Sequence, residues 1–247
     1  MTDYHTYQFT KKEWSRIVLK YIIWLGFHAY LFFNSIAGII ILTPLIFPKL
    51  KQEKEKAIIK RKQQMIEELK EVLGSVQVAL EAGYSLENSF LLAKKELEQL
   101  AGEKPSYMLE ELQLLERKLS MSIKIEEIWE DLAQRSGIEE VDNLAQVIIL
   151  GKRSGGNLIH IIRKMHVSLM NKWDVEEEIA TMISGKKMEQ RIMSYMPVGI
   201  LLYMRIVNGD YIRTLYGNPV GIIVGIVALV IMQWADHYTS KIIRIEV

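Results

Sequence analysis

Ile66-Glu-Glu-Leu-Lys-Glu-Val-Leu-Gly-Ser-Val-Gln-Val-Ala-Leu80 is the stretch on which the fold turns. Its apolar residues Ile66, Leu69, Val72, Leu73, Val76 and Leu80 recur at spacings of three and four, the period of one buried helix face. A strand would alternate at a spacing of two, and no alternating run long enough for a sheet occurs in the chain. Gly83 marks the end of this helix and Ser85 offers an N-cap for the next, which runs to about Ala101. Gly102 and Pro105 punctuate the following connection. Leu109, Leu112, Leu115 and Leu119 then predict a third helix, and Ile125, Ile128 and Leu132 a fourth that stops at Gly137. A fifth carries Val141, Leu144, Ala145 and Ile148 up to Ser154-Gly155-Gly156. Leu158, Ile162, Met165 and Leu169 open a long sixth helix, with Pro197 near its far end as a potential kink. Residues 49–191 therefore read as an all-α bundle of about six helices.

Outside the bundle the composition changes. From Ile17 to Phe47 the one charged residue is Lys20; Ile192–Val207 is interrupted only by Arg205; Val220–Ala235 has no charge. Uninterrupted apolar runs of this kind suit a bilayer core, which takes roughly 17–25 residues per helix. The first block would form a helix about 46 Å long at ~1.5 Å per residue, against a hydrocarbon core about 30 Å thick. Lys11, Lys12, Arg16 and Lys20 precede it, and Lys49, Lys51, Lys54, Lys56, Lys60, Arg61 and Lys62 follow it. The positive-inside rule puts both flanks in the cytoplasm, which favours a hairpin split at Asn34-Ser35 over one long tilted helix. A signal peptide cleaved near Ser35 and Ala37 fits less well, since the apolar run continues beyond that point.

The expected layout is a multi-pass membrane protein with one cytoplasmic helical bundle. Residues 1–13 form a cytoplasmic N-terminal tail, 14–48 a transmembrane hairpin and 49–191 the bundle. Residues 192–207 form a transmembrane helix, 208–218 an external loop, 219–236 a transmembrane helix and 237–247 a cytoplasmic tail. Four crossings then leave both termini inside, with Arg205 snorkelling near the outer surface.

Across 247 residues the chain carries 31 Lys+Arg against 30 Asp+Glu and is 49% hydrophobic. That near-neutral balance disfavours a nucleic-acid partner. The averages hide segregation, because residues 49–191 hold 23 of the basic and 25 of the acidic residues. The lack of Cys removes disulfides, thiolate metal sites and cysteine nucleophiles. Leu150-Gly-Lys-Arg-Ser-Gly-Gly-Asn157 superficially suggests a phosphate loop, but its Lys follows the wrong Gly and a helix precedes it. His160 and His166 are six apart, not the four that put two metal ligands on one helix face. Glu126-Glu127, Glu130-Asp131 and Glu176-Glu177-Glu178 read as solvated helix faces rather than acid/base pairs. The expectation is a protein with no catalytic residues, no cofactor and no metal.

Two segments bring a family into view. Glu81-Ala-Gly-Tyr-Ser-Leu-Glu-Asn88 and Gly151-Lys-Arg-Ser-Gly-Gly-Asn-Leu158 resemble the two signatures of the type II secretion system F domain. Lys186-Lys-Met-Glu-Gln-Arg-Ile-Met193 and Lys241-Ile-Ile-Arg-Ile-Glu-Val247 are similar to the corresponding parts of tight-adherence (Tad/Flp) pilus platform proteins within that family. The resemblance covers essentially the whole chain, and the domain itself spans roughly Glu67–Leu201. It implies a non-enzymatic inner-membrane platform on which a cytoplasmic secretion ATPase acts while pilin subunits pass into a filament. Relatives in general secretion carry two copies of the domain. This chain has one, which implies a second copy or a paralogous platform protein as partner, besides membrane lipid. The resemblance gives Gly83, Gly155 and Gly156 turn roles and makes Lys152 and Arg153 possible partner contacts. A membrane-anchored signalling scaffold that recruits another soluble partner remains the rival. A membrane enzyme or transporter would need paired intramembrane ionisable groups, for which only His28 and Arg205 are available.

Overall fold

The periodic stretch at 66–80 lies inside a single long helix, with Met65, Leu69, Val72, Leu73 and Val76 all buried on one face. This is a computed structural model, and it describes residues 4, 6, 7, 9–33, 43, 46–102, 105–154, 158–209 and 218–245. Among them are eight α-helices and no strand: α1 Lys11–Phe33, α2 Ile46–Glu81, α3 Leu86–Ala101, α4 Tyr107–Ser120, α5 Ile125–Ser136, α6 Glu139–Ser154, α7 Leu158–Val207 and α8 Pro219–Ile245. The fold is all-α, and helices α2 to α7 correspond to the six read from the sequence. The proposed split at Asn34-Ser35, the external loop at 210–217, Gly155 and Gly156 lie outside the described residues.

The helix boundaries follow local chemistry. Gly83 adopts φ +89°, a left-handed conformation that a Cβ disfavours. Its N–H donates to Leu80 O at 3.0 Å and the Tyr84 N–H to Ala79 O at 3.1 Å, the paired bonds of a Schellman cap. Ser85 caps α3, its Oγ accepting the Asn88 N–H at 3.3 Å, and Ser106 caps α4 by accepting the Leu109 N–H at 3.1 Å. Helix α5 stops at Gly137. Helix α7 runs through Pro197 without a break in its assignment.

The chain divides into two units, residues 1–8 with 52–173 and residues 9–51 with 174–247. The core of the first gathers Leu69, Leu73 and Val76 of α2, Phe90 of α3, Leu112 of α4, Trp129 of α5 and Leu144 of α6. Phe90 and Trp129 pack with ring centroids 4.9 Å apart. Arg135 of α5 ties this unit together. Its guanidinium donates two parallel bonds to Glu111 of α4, Nη1 to Oε1 at 2.9 Å and Nη2 to Oε2 at 2.7 Å. Its Nε donates to Asp131 at 3.1 Å, and Lys118 donates to the same Asp131 oxygen at 2.7 Å. Asp131, read as part of a solvated acidic face, is thus half of an interhelical link.

The tail reading of residues 1–13 gave Tyr4 no place in the core, yet its side chain is fully buried. Its hydroxyl donates to Glu111 Oε1 at 2.8 Å, and its N–H donates to Arg135 O at 3.2 Å. The Arg61 guanidinium lies 4.8 Å from the Tyr4 ring centroid and donates to Thr6 O at 3.0 Å. Tyr4 and Thr6 thus tie into α2, α4 and α5. Burial first, and the Glu111 carboxylate second, push the Tyr4 phenol above its usual range.

In the second unit α1 packs on α8, with Leu25, Ala29, Leu31 and Phe32 buried against Leu229. His28 is buried, and its Nδ1 lies 2.9 Å from Trp24 O. Arg205 lies over the Tyr30 ring, 3.7 Å from its centroid, and donates to Tyr30 O. Among the described residues no helix is long and apolar enough to cross a membrane. The first apolar block of the sequence continues through residues 34–42, outside those described.

Candidate functional site

The two segments singled out in the sequence, 81–88 and 151–158, meet in the first unit. Lys152, in the last turn of α6, donates to Glu87 Oε1 at 3.0 Å and to Glu126 Oε2 at 3.2 Å. Glu87 and Glu126 each stand in the first turn of their helix, α3 and α5. A carboxylate there complements the positive end of the helix dipole, and a cation at the end of α6 complements the negative end. One ammonium therefore joins three helix ends. Burial alone pushes Glu87 up, but its own backbone N–H and Lys152 outweigh it and hold the carboxyl below its usual range. Burial works against the Lys152 charge as well, yet the two carboxylates raise it above the ordinary lysine value.

A second link closes the same corner. Arg163, early in α7, donates from Nε to Glu81 Oε1 at 3.2 Å, and Gln77 Nε2 donates to the same oxygen at 3.0 Å. These bonds, Arg163 foremost, hold the Glu81 carboxyl below its usual range. His166 Nδ1 lies 3.3 Å from Gln77 Oε1, so this histidine sits at the α2–α7 contact.

The tight approach in the second segment falls at Gly151, ahead of the expected turn glycines. A Cβ there would come within 2.5 Å of Leu158 Cδ1, so the first and last residues of that segment pack directly together. Of the residues singled out, Gly83 makes its turn and Lys152 sits in the three-helix link. Arg153 lies in the last turn of α6. The sequence reading missed Glu87, Glu126, Gly151, Glu81 and Arg163. The first-turn positions of Glu87 and Glu126 were legible signals, but nothing local showed that a single lysine binds both.

Val78 and Tyr84, each three residues from Glu81 in the chain, are exposed apolar side chains. Charged pairs half open to water can orient a docking partner by complementary charge. Among the described residues no group of three His, Asp or Glu is placed to hold a metal ion. Comparison with known protein families, curated proteins and solved structures finds no match to this chain.

Proposed function

We infer that the chain is an inner-membrane platform protein for a type IV-like (Tad/Flp) pilus or type II secretion machine. It couples a cytoplasmic secretion ATPase to the movement of pilin subunits into a filament. The second unit resides in the membrane and the first in the cytoplasm, with four crossings and both termini inside. The protein performs no covalent chemistry of its own. A second copy or a paralogous platform protein completes the assembly.

The observation that carries this reading is the outward face of the second unit. Leu19, Ile22 and Ile23 of α1, Ile200 and Ile206 of α7, and Val220, Ile223 and Val230 of α8 are all more than half exposed. Exposed apolar surface costs about 25 cal/mol per Å² in water, and apolar faces this extensive mark a membrane or a partner. The first unit instead carries its charges outward, with Lys152, Glu87 and Arg163 gathered at one corner. Lys152 and Arg153 form the ATPase contact in this reading. The rival, a membrane-anchored scaffold recruiting a different soluble partner, draws on the same corner.

Deleting the gene tests the function: loss of surface filaments or of secretion is expected, and normal assembly without the protein sinks the platform role. Crosslinking from position 152 to a secretion ATPase separates the platform from the scaffold. A reporter fused after Asn34 is expected to read as external; a cytoplasmic reading there removes the hairpin.

A further inference from the structure

The second unit contains a groove of about 780 Å³ between α7 and α8, closed at one point by Phe32 of α1. That volume lies within the ~300–1,000 Å³ typical of small-molecule sites. Its lining is graded. Ile200 of α7 and Ala228 and Ile231 of α8 make an apolar stretch, whereas Gln190 and Ser194 on α7 and Thr239 on α8 are polar. The polar groups lie at the start of the α7 lining and at the end of the α8 lining. Consecutive helices joined by a short connection run antiparallel, which gathers all three at one mouth. One turn before Gln190, α7 carries Lys186 and Lys187, with Arg191 following; all three are exposed. Lys186 precedes Gln190 by four residues and so falls on the groove side of the helix. The one carboxylate among them is Glu189, which pairs with Lys186 at 3.4 Å, and the cluster keeps a net positive charge.

We propose that this groove binds one anionic glycerophospholipid, its acyl chain along Ile200, Ala228 and Ile231 and its phosphate at the Lys186–Lys187 mouth. The graded lining matches an amphiphile from end to end. Charge complementarity selects the acidic headgroup, since each lysine near an anionic lipid surface attracts it. A partner's apolar helix would find no use for the polar mouth and its cations. The proposal rests on the membrane reading above.

The test uses the full chain in neutral detergent, mixed with equimolar phosphatidylglycerol and phosphatidylcholine of matched chain length and examined by native mass spectrometry. Retention of phosphatidylglycerol about tenfold over phosphatidylcholine is expected. Lys186→Glu with Lys187→Glu is expected to abolish the preference while some lipid remains bound. Ala228→Trp, which fills the groove, is expected to remove both lipids. Equal retention of the two lipids by the unaltered chain overturns the proposal, as does a preference that survives the double charge reversal. Unchanged retention in a folded Ala228→Trp variant also overturns it; where that variant does not fold, the charge reversal at two exposed positions decides. A polypeptide found in the groove in place of lipid overturns it too. Alkaline carbonate extraction reports separately: a chain that leaves the membrane fails both readings, and one that stays without lipid preference fails this one alone.

Discussion

Arg135 and Glu111 face each other across α5 and α4 in a two-bond pairing, with the carboxylate almost wholly buried. Such a pair is costly to break from one side, because the remaining charge stays out of water without its partner. Arg135→Ala is expected to destabilise the first unit by about 3–5 kcal/mol, read from urea unfolding monitored by hydrogen exchange along α4 and α5. Arg135→Lys keeps the charge but loses the fork geometry, and is expected to recover only part of that. Equal stability of the lysine variant and the parent would show that the second bond contributes nothing.

Tyr4 adds a hydroxyl to the same carboxylate. Tyr4→Phe keeps the ring against Arg61 and loses the hydrogen bond to Glu111, an expected cost of about 1.5–3 kcal/mol for a charged acceptor. Tyr4→Ala removes the ring as well and is expected to cost about 3–5 kcal/mol. Hydrogen exchange along α4 and α5 should rise in the alanine variant if Tyr4 holds those helices, and stay unchanged if it does not.

Stability should fall away at both ends of the pH scale, through different partners of the same links. Glu87, Glu81 and Asp131 have folded values held below their unfolded ones. For Asp131, burial pushes up, but Lys118 and Arg135 outweigh it. The stabilisation from these groups is therefore present above their unfolded values, about 4, and is lost as pH drops through the folded ones. Lys152 is raised, so its contribution is complete below the unfolded lysine value of about 10.4 and is lost as pH climbs through the folded value. Lys152→Met should flatten the alkaline limb of a thermal-melt profile. It should also raise the onset of acid loss only slightly, since Arg163 and Lys118 remain.

Gly151 is the position where the α6–α7 corner tolerates least. Gly151→Ala turns the Leu158 Cδ1 aside at a cost of about 1 kcal/mol, which the gain of about 1 kcal/mol in helix propensity offsets, so little net change is expected. Gly151→Val, with two branches on its Cβ, should cost about 2–3 kcal/mol. Leu158→Ala in the Gly151→Ala background should relieve the clash, giving a coupling of about 0.5–1 kcal/mol in a double-mutant cycle. Strict additivity of the two changes would mean that the residues do not touch.

The helices of the first unit were legible because periodicity and capping are local. Ser85, Gly83 and Gly137 punctuate the chain wherever backbone bonding must change. The pairing partners were not legible, since Lys152 and Glu87 are separated by 65 residues, and no local rule links a helix end to another helix's first turn. Tyr4 was hidden for a different reason. Charged residues at Lys11 and Lys12 made everything before them resemble a solvated tail, while Tyr4, Tyr7 and Phe9 in a short polar run give no helical period to detect. The close approach at Gly151 was not legible either, because the contact comes from the side chain of Leu158, seven residues on.

Tyr4 belongs to the first unit, while residues 9–51, which begin five positions on, belong to the second. On a ribosome adding about 5–20 residues per second, Tyr4 is made on the order of ten seconds before Arg135, whose carbonyl and Glu111 partner complete its socket. In that interval α1 has already been synthesised and released. The socket of Tyr4 is therefore completed only after most of the chain between Tyr4 and Arg135 has been made, and the long-range closure between them follows the synthesis of α5.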